Sequence, residues 1–526
     1  MRVHLFFTAM LVASTIAAQP KTDNAAVDLG PEQDERETGS FGYIFGQSPD
    51  AVYMTMNKKK DLLVQKVDGD LRAKYSKVLD LELDKKDLDL EQMMVLGDRI
   101  LVFTSFYDKK ADQRTLYLRT FGADDMVPQG GWERIAQYAA EKERQGGFGL
   151  TVSQNLKHIL VYVRLPYEKE MPEKFQLQVF SDAMEPEWEQ EITMPYDDAL
   201  FSFGEFRVDS KGEVVMVGVK YHEKREAKAL KRAGKVTYDY HLVTYSAGGN
   251  EQDHTISADG KFLQDLTLSL DSAGTGDILC GGFYGEKGTN KVRGCFFLRL
   301  DPKTKAVKHQ SYKEFSDDFI TQYMTAKQEE KARKKAEKKD EELELYEYDL
   351  SDIVRRDDGG AVLVGEQYYE YTTQNCYTSN GRTTCYTVYH YIYNTIIVIS
   401  IDPDGNIAWA SQIPKFQHTT NDGGFFSSYA MEVKGDKIYF VYNDNGENLF
   451  LNAGDKFKLT DFQGKSSIVT LATVSVDGNV KREALFDPDK RELILRPKSS
   501  VQLADDRMFI YSTRKKDYRF GSVTFD

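Results

Sequence analysis

A chain of 526 residues with 69 Lys plus Arg against 83 Asp plus Glu has a formal net charge of −14, which favours solubility and disfavours a uniformly nucleic-acid-binding surface. Hydrophobic content of 41% suffices for a folded core, and the 12% aromatic share, mostly Tyr and Phe, favours strands. Length alone predicts about two to four domains, unless the chain is built from repeats around one centre.

The N-terminus reads as an export signal: Arg2 is the positive region, Leu5 to Ile16 is mostly apolar, and Ala17-Ala18 are small cleavage-site residues. No Cys follows the apolar run, so no lipid anchor is expected at the cleavage site. No later stretch has the roughly 18 uninterrupted apolar residues that a membrane helix requires. A periplasmic or extracellular location follows, with peripheral envelope association still open. Residues 19–40 are acidic, polar and poor in aromatics, which predicts a disordered leader.

From Phe41 onward one pattern recurs, namely a strand, a polar turn and a second strand. FGYIFGQSPDAVYMTM (Phe41–Met56) and FGLTVSQNLKHILVYV (Phe148–Val163) match in residue type almost position for position. The same hairpin returns around Gly97, Gly212, Gly274, Gly360, Gly435 and Asp505. A second hairpin alternates with it, turning at Val67-Asp68-Gly69, Phe121-Gly122-Ala123, Ser181-Asp182-Ala183, Ser246-Ala247-Gly248, Asp301-Pro302-Lys303, Asp402-Pro403-Asp404-Gly405 and Val476-Asp477-Gly478. β-branched and aromatic runs between Gly, Asp and Asn turns are hairpin signals. Two hairpins per unit make four antiparallel strands, a to d, and repetition of that unit predicts an all-β fold, a β-propeller of four-stranded antiparallel blades. Eight units are counted, and seven if the weak terminal unit is a misreading. The last unit, ending RFGSVTFD, stops after strand c, so closure requires an outer strand from the N-terminus, with Ala25–Leu29 the candidate. The expectation is one propeller domain over residues 41–526.

Strand d often takes the form of Gly405 to Trp409 (GNIAW), and this grammar resembles the repeat-type β-propellers of exported bacterial proteins, including the quinoprotein-like class. The regular Trp-docking motif and adjacent-Cys pair of the quinone-dependent dehydrogenases are absent, so the resemblance implies the scaffold and not that activity. Ser400 to Gly405 also resembles the Asp-box of sialidases with its glycine displaced by one residue, and reads as an ordinary hairpin turn.

Turns a–b and c–d are short throughout, whereas the long segments fall in the b–c and d–a connections, which emerge together at the other end of the blades. Residues 132–144 and about 318–345 read as helical d–a insertions, and 221–240, 368–393 and 443–465 as long b–c insertions. Function-bearing loops gather on one face of a rigid scaffold, so the insertion face is the expected working face. It is also basic: Lys58, Lys59, Lys60, Lys109, Lys110, Lys224, Arg225, Lys228, Lys231, Arg232, Lys235, Lys287, Lys291, Arg293, Arg514, Lys515, Lys516 and Arg519 all fall in b–c loops. A basic rim on an acidic body predicts an anionic partner, although solvated loops carry lysine without one. The segment from Lys327, KQEEKARKKAEKKDEELELYEYD, has helix-supporting Glu329/Arg333 and Glu330/Lys334 pairs and no apolar stripe, which predicts a solvated helix.

Four cysteines in an exported chain favour disulfides. Cys376 and Cys385 flank Asn380-Gly381, a hairpin dipeptide, and fall at a non-hydrogen-bonded pair where side chains lie closest. Cys280 and Cys295 are symmetric about Lys287-Gly288, which predicts a second bridge unless a bulge shifts the register. The legs around Asn380-Gly381 exceed a typical strand and predict a two-stranded arm, either projecting or folded over the channel, with Tyr369, Tyr371, Tyr377 and Tyr386 as contact residues. HExxH, GxSxG, phosphate-loop and CxxC motifs are absent, and no cofactor or metal is expected. Two functions compete: a scaffold binding a protein or anionic glycan through the insertion face, and a glycan-processing enzyme with carboxylates at the central channel.

Overall fold

The computed structural model describes residues 22 and 24–526, apart from 169, 250, 257–259, 271–274, 286–290, 340, 352, 380–381, 461, 463–465, 487–493 and 504–506. The expected signal peptide lies outside the described residues. Among them, no helix is long and apolar enough to cross a membrane.

Strands dominate, and they form eight consecutive antiparallel sheets, with two short two-stranded ribbons beside them. The first sheet holds Ser40–Ser48, Ala51–Lys58, Asp61–Asp68 and Ala73–Val78. The second holds Asp89–Leu96, Arg99–Asp108, Gln113–Gly122 and Glu133–Ala139. Sheets three and four begin at Gly147–Val152 and Phe201–Val208, and the fifth at Phe262–Leu270. In the sixth, Tyr348–Leu350 and Val354–Arg355 flank the long pair Ala361–Ser379 and Arg382–Ile401, with Ile407–Ile413 outside. The seventh begins at Ala430–Lys434, and the eighth is built on Arg507–Arg514 and Asp517–Phe525.

Packing explains the order of the strands. Second strands such as Arg99–Asp108 and Lys437–Asn445 are buried almost throughout, because both of their faces meet a neighbouring sheet. Each gap between sheets is filled by its own apolar cluster. Tyr53 and Val64 meet Ile100 and Val102 between sheets one and two, and Val161 meets Phe103 between two and three. Further clusters join three to four, four to five, five to six, six to seven and seven to eight. The last one returns to the start: Met54 and Met56 of the first sheet pack with Tyr511 and Phe520 of the eighth, and Phe41 stacks on Tyr511 at 4.4 Å. First strands of sheets one to six also touch in series, which places them innermost. The architecture is propeller-like.

The strand required from the N-terminus is present. Ala25–Leu29 pairs antiparallel with the last strand, from Ala25 opposite Phe525 to Leu29 opposite Gly521. Gln33–Asp34 pairs lower on the same strand, and helix α1 (Glu35–Thr38) follows. The expected disordered leader is thus corrected from Asn24 onward. An open edge supplies backbone partners that this polar segment lacks by itself, and Ala25 and Val27 are buried there.

Three further helices occupy connections: α2 (Lys224–Arg232), α3 (Asp317–Thr321) and α4 (Ala326–Lys339). Among the described residues, all four α-helices lie in b–c or d–a connections, and so at one end of the sheets. The helical insertion expected at 132–144 is instead the outer strand of the second sheet, Glu133–Ala139. Ala136, Tyr138 and Ala140 are buried at every second position, a strand period, so pairing with Gln113–Gly122 overrides the helix propensity of the Ala- and Glu-rich sequence.

The second expected disulfide is also corrected. Cys280 and Cys295 are free and buried. Cys280 faces Leu298 and Cys295 faces Phe283, so the true register differs from the symmetric one by three residues. An odd displacement turns the two side chains to opposite faces of the sheet, and they join different apolar clusters.

Candidate functional site

The sixth sheet reaches well past its neighbours. Its long strands pair from Ala361 opposite Ile401 to Ser379 opposite Arg382, with one register shift between Glu366 and Tyr368. Beyond that shift Tyr368 faces Tyr393, Glu370 faces Tyr391 and Tyr371 faces His390. Every described residue from Glu370 to Ser379 and from Arg382 to Thr387 is exposed, on both faces of the ribbon. The arm therefore projects and is not folded over the centre. Cys376 and Cys385 pair directly, 4.0 Å apart at Cα, and are disulfide-bonded. In the chain-entropy account a loop this short contributes roughly 2–3 kcal/mol to holding the ribbon together.

Alternation along the arm sorts its side chains. Tyr369, Tyr371 and Tyr377 share one face with their cross-strand neighbours Ile392, His390, Thr384 and Tyr386. The disulfide lies on the opposite face. Tyr371, Tyr377 and Tyr386 are 43%, 56% and 52% exposed, far above the core tyrosines, and so form an open aromatic face. Tyr369 is half-buried beneath Tyr371, with ring centroids 6.4 Å apart.

The arm's root, by contrast, is fixed. Gln417–Thr420 adds a third strand along His390–Tyr393. Asn421 ends that strand by accepting the Tyr389 N–H through Oδ1 at 2.9 Å and donating its own N–H to the Tyr389 carbonyl at 3.0 Å. His390 Nδ1 and His418 Nε2 share a hydrogen bond of 2.9 Å, Thr373 Oγ1 meets His390 Nε2 at 2.8 Å, and the Tyr371 ring stacks on His390 at 4.4 Å. Burial and the neighbouring His390 hold His418 below its ordinary pKa. Lys498 donates to the Tyr393 hydroxyl at 2.6 Å.

Below the root lies a buried ionic site that no sequence motif marks. Lys415, whose side chain is wholly inaccessible, pairs with Glu366, and Ser428 Oγ donates to Glu366 Oε2 at 2.6 Å. Lys415 Nζ also reaches Gln417 Oε1 at 3.1 Å, and burial holds its pKa below the ordinary lysine range. Nearby, burial raises Asp265 and Asp349, and Asp349 is raised further by Asp265 and Glu366. Asp265 accepts the Leu266 and Leu350 N–H groups. A cavity of about 190 Å³ between sheets seven and eight is lined by Tyr429, Met431, Lys498 and Gln502, and is smaller than the roughly 300–1,000 Å³ of small-molecule sites. At the same end of sheet three, burial and the adjacent Asp198 push Glu173 up to about 8.

The expected basic rim divides in two. Lys59 and Lys515 occupy tight b–c turns with φ of 56° and 58°, and Lys58 Nζ donates to the Glu37 carbonyl at 2.5 Å. Lys60, Lys109 and Lys110 are exposed turn residues, and Lys516 lies 3.9 Å from Glu35. Lys224, Arg225, Lys228, Lys231 and Arg232 are exposed along α2. Arg293 is different. It is buried, binds Glu314, Asp317 and Glu342 within 3.3 Å, and donates to the Leu343 carbonyl at 2.7 Å. Lys291 likewise holds Glu341 at 2.8 Å and Glu344 at 3.1 Å. Both anchor the segment after α4 rather than forming part of an open rim, and Lys287 lies outside the described residues. Their acidic partners come from up to about fifty positions away in sequence, which is why spacing alone does not reveal the pairing.

No family model matches the chain, and neither does any curated protein. Among solved structures, a Bacteroides caccae protein of unknown function is 9% identical over 70% of this chain and 94% of its own, with a TM-score of 0.28. Porphyromonas gingivalis dipeptidyl peptidase 4 is 10% identical over 92% of this chain and 59% of its own, with a TM-score of 0.41. An endo-arabinase from Bacteroides thetaiotaomicron is 10% identical over 53% of this chain and 94% of its own, with a TM-score of 0.23. At these values the likenesses transfer neither activity nor architecture, and the propeller-like reading stands on the sheets and the cyclic chain of cores between them.

Proposed function

We propose that the chain is an exported, eight-bladed β-propeller in one domain that binds a protein or glycan partner through its insertion end, with the disulfide-stapled arm as the leading contact. The exposed aromatic face of Tyr371, Tyr377 and Tyr386 on a covalently stapled ribbon carries this reading. Tyrosine offers an apolar ring and a polar tip, which suits a wet contact surface. A two-stranded ribbon is marginal in water, so the disulfide and the third strand at the root preserve a shape that the core does not require. The disulfide also fits an oxidising compartment outside the cytoplasm. The alternative, a glycan-processing enzyme, has less support, because two of the acids near the centre are engaged: Glu366 by Lys415 and Ser428, Asp265 by backbone N–H groups.

The test compares wild type with Tyr371→Ser/Tyr377→Ser/Tyr386→Ser in cross-linking and pull-down from the native envelope. Partners recovered by wild type should be lost from the triple variant while its melting temperature is retained. Equal recovery by both proteins refutes the arm as the binding element.

A further inference from the structure

Helix α4 and the chain that follows it look nearly balanced in charge, but the structure separates the two signs. The helix starts on a reciprocal cap in which Thr325 and Gln328 bond each other's groups, Gln328 Oε1 accepting the Thr325 N–H at 2.9 Å. Glu329, Ala332, Arg333 and Ala336 are the half-buried positions, and the two alanines pack against the core between sheets five and six. Arg333 turns to Glu329 at 2.9 Å and Asp317 at 3.1 Å. Past the helix, Glu341, Glu342 and Glu344 are drawn onto Lys291 and Arg293. Most of the acids are thereby drawn to the inner side, while Glu330 and Glu337 stay exposed on one flank.

Lysines remain on the outer side. At about 100° per residue, Lys327, Lys331, Lys334, Lys335 and Lys338 fall within one stripe, opposite Ala336, whereas Lys339 lies toward the side of Ala332. All six are exposed. Lys334 pairs with Glu330, whereas Lys327, Lys331, Lys335, Lys338 and Lys339 form no ion pair among the described residues. The stripe runs about 17 Å along the helix axis at 1.5 Å per residue. On the fourth sheet, α2 exposes Lys224, Lys228, Lys231 and Arg232 from the same end.

We propose that the outer face of α4 is a docking track for an acidic polysaccharide, a claim that rests on the insertion end being the working surface and names a ligand class for it. Charge complementarity fixes the sign. Composition selects the class. The stripe has no aromatic side chain to stack a base and no apolar side chain to enter a bilayer. Regularly spaced ammonium groups without a pocket fit a flexible polymer carrying repeated carboxylates or sulfates, bound by many weak contacts.

Affinity electrophoresis tests the track, with polygalacturonate as the acidic probe, dextran as the neutral one, and vesicles of phosphatidylcholine and phosphatidylglycerol as the competing surface. Wild type should be retarded by polygalacturonate alone. Lys327→Gln/Lys331→Gln/Lys335→Gln/Lys338→Gln should weaken that binding roughly tenfold or more at low salt and flatten its salt dependence, as for other polyelectrolyte contacts. The matching Lys→Arg set should retain it, which separates loss of charge from loss of fold. Unchanged binding by the Gln variant, no binding by wild type, or binding to vesicles without polygalacturonate each overturns the proposal. The arm variant is read separately, by its pull-down from the native envelope, so failure of the arm and failure of the track give different results.

Discussion

Lys415 carries an ammonium group to a place that water does not reach, and so the molecule depends on what surrounds it. Glu366 supplies the opposite charge, Ser428 satisfies the carboxylate's second oxygen, and Gln417 accepts from the amine while its Nε2 donates to the Asn443 carbonyl at 2.8 Å. The same Gln417 Oε1 accepts the Ser428 N–H at 2.8 Å, so the loop from Lys415 to Ser428 is tied to strands of the sixth and seventh sheets. Breaking a buried pair from one side leaves an uncompensated charge, and Lys415→Ala should therefore cost about 3–5 kcal/mol in chemical denaturation. Replacing both partners removes the desolvation penalty together with the attraction. Lys415→Met/Glu366→Leu should recover more than half of that loss, and a double variant no more stable than Lys415→Ala would show that the pair is not the source of the effect.

At the level of the element, the arm divides into a fixed root and a free ribbon, and the two histidines stand at the division. A hydrogen bond between His390 and His418 requires that one of the two rings accept, so both cannot be charged within it. His418 is held below the ordinary 6.5 by burial and by His390, which means that the closed root prefers the neutral ring. Root stability is then fully present above about pH 6.5 and falls as the pH drops through the lower, folded value, because the open form takes up the proton first. Protection factors at Tyr389 to Tyr393, taken relative to the intrinsic exchange rate at each pH, should fall at pH 5 relative to pH 7.5, and His418→Gln should flatten that dependence. Equal protection at both values in wild type would dismiss the histidine latch. Much of this arm was legible in the sequence: a register centred on the Asn380-Gly381 dipeptide predicts Cys376 against Cys385, the pairing observed. The third strand was not legible, since Gln417–Thr420 is short and polar and gains its conformation only from the edge it covers. The same limit explains residues 132–144, where local composition favours a helix and pairing decides for a strand. It also explains Cys280, where three residues of register turned a plausible bridge into two separate core thiols.

Across the whole molecule, the chain's two ends meet in one sheet, and that meeting decides whether the cycle of cores is closed. Ala25 and Val27 share an apolar cluster with Tyr439 and Val441 of the seventh sheet and with Ile510 and Val523 of the eighth. The ladder from Ala25 to Leu29 also covers the edge that Gly521 to Phe525 would otherwise present to solvent. The C-terminal residue is held too: the Asp526 N–H donates to the Asn24 carbonyl at 3.1 Å, and Asp526 accepts from the Tyr439 hydroxyl at 2.5 Å. Removing residues through Gly30 would uncover apolar side chains and leave unpaired backbone groups on a strand that is otherwise mostly buried. Such an edge is a template for pairing with a second chain. A protein starting at Pro31 should melt at a lower temperature than one starting at Gln19 and should form concentration-dependent dimers or larger species in sedimentation velocity. Adding a peptide with the sequence of residues 22–30 should restore the parent's sedimentation behaviour, because it supplies the missing strand in trans. If the shortened protein sediments and melts as its parent does, the eighth sheet does not depend on the N-terminal strand, and the ring is held by its inter-sheet cores alone.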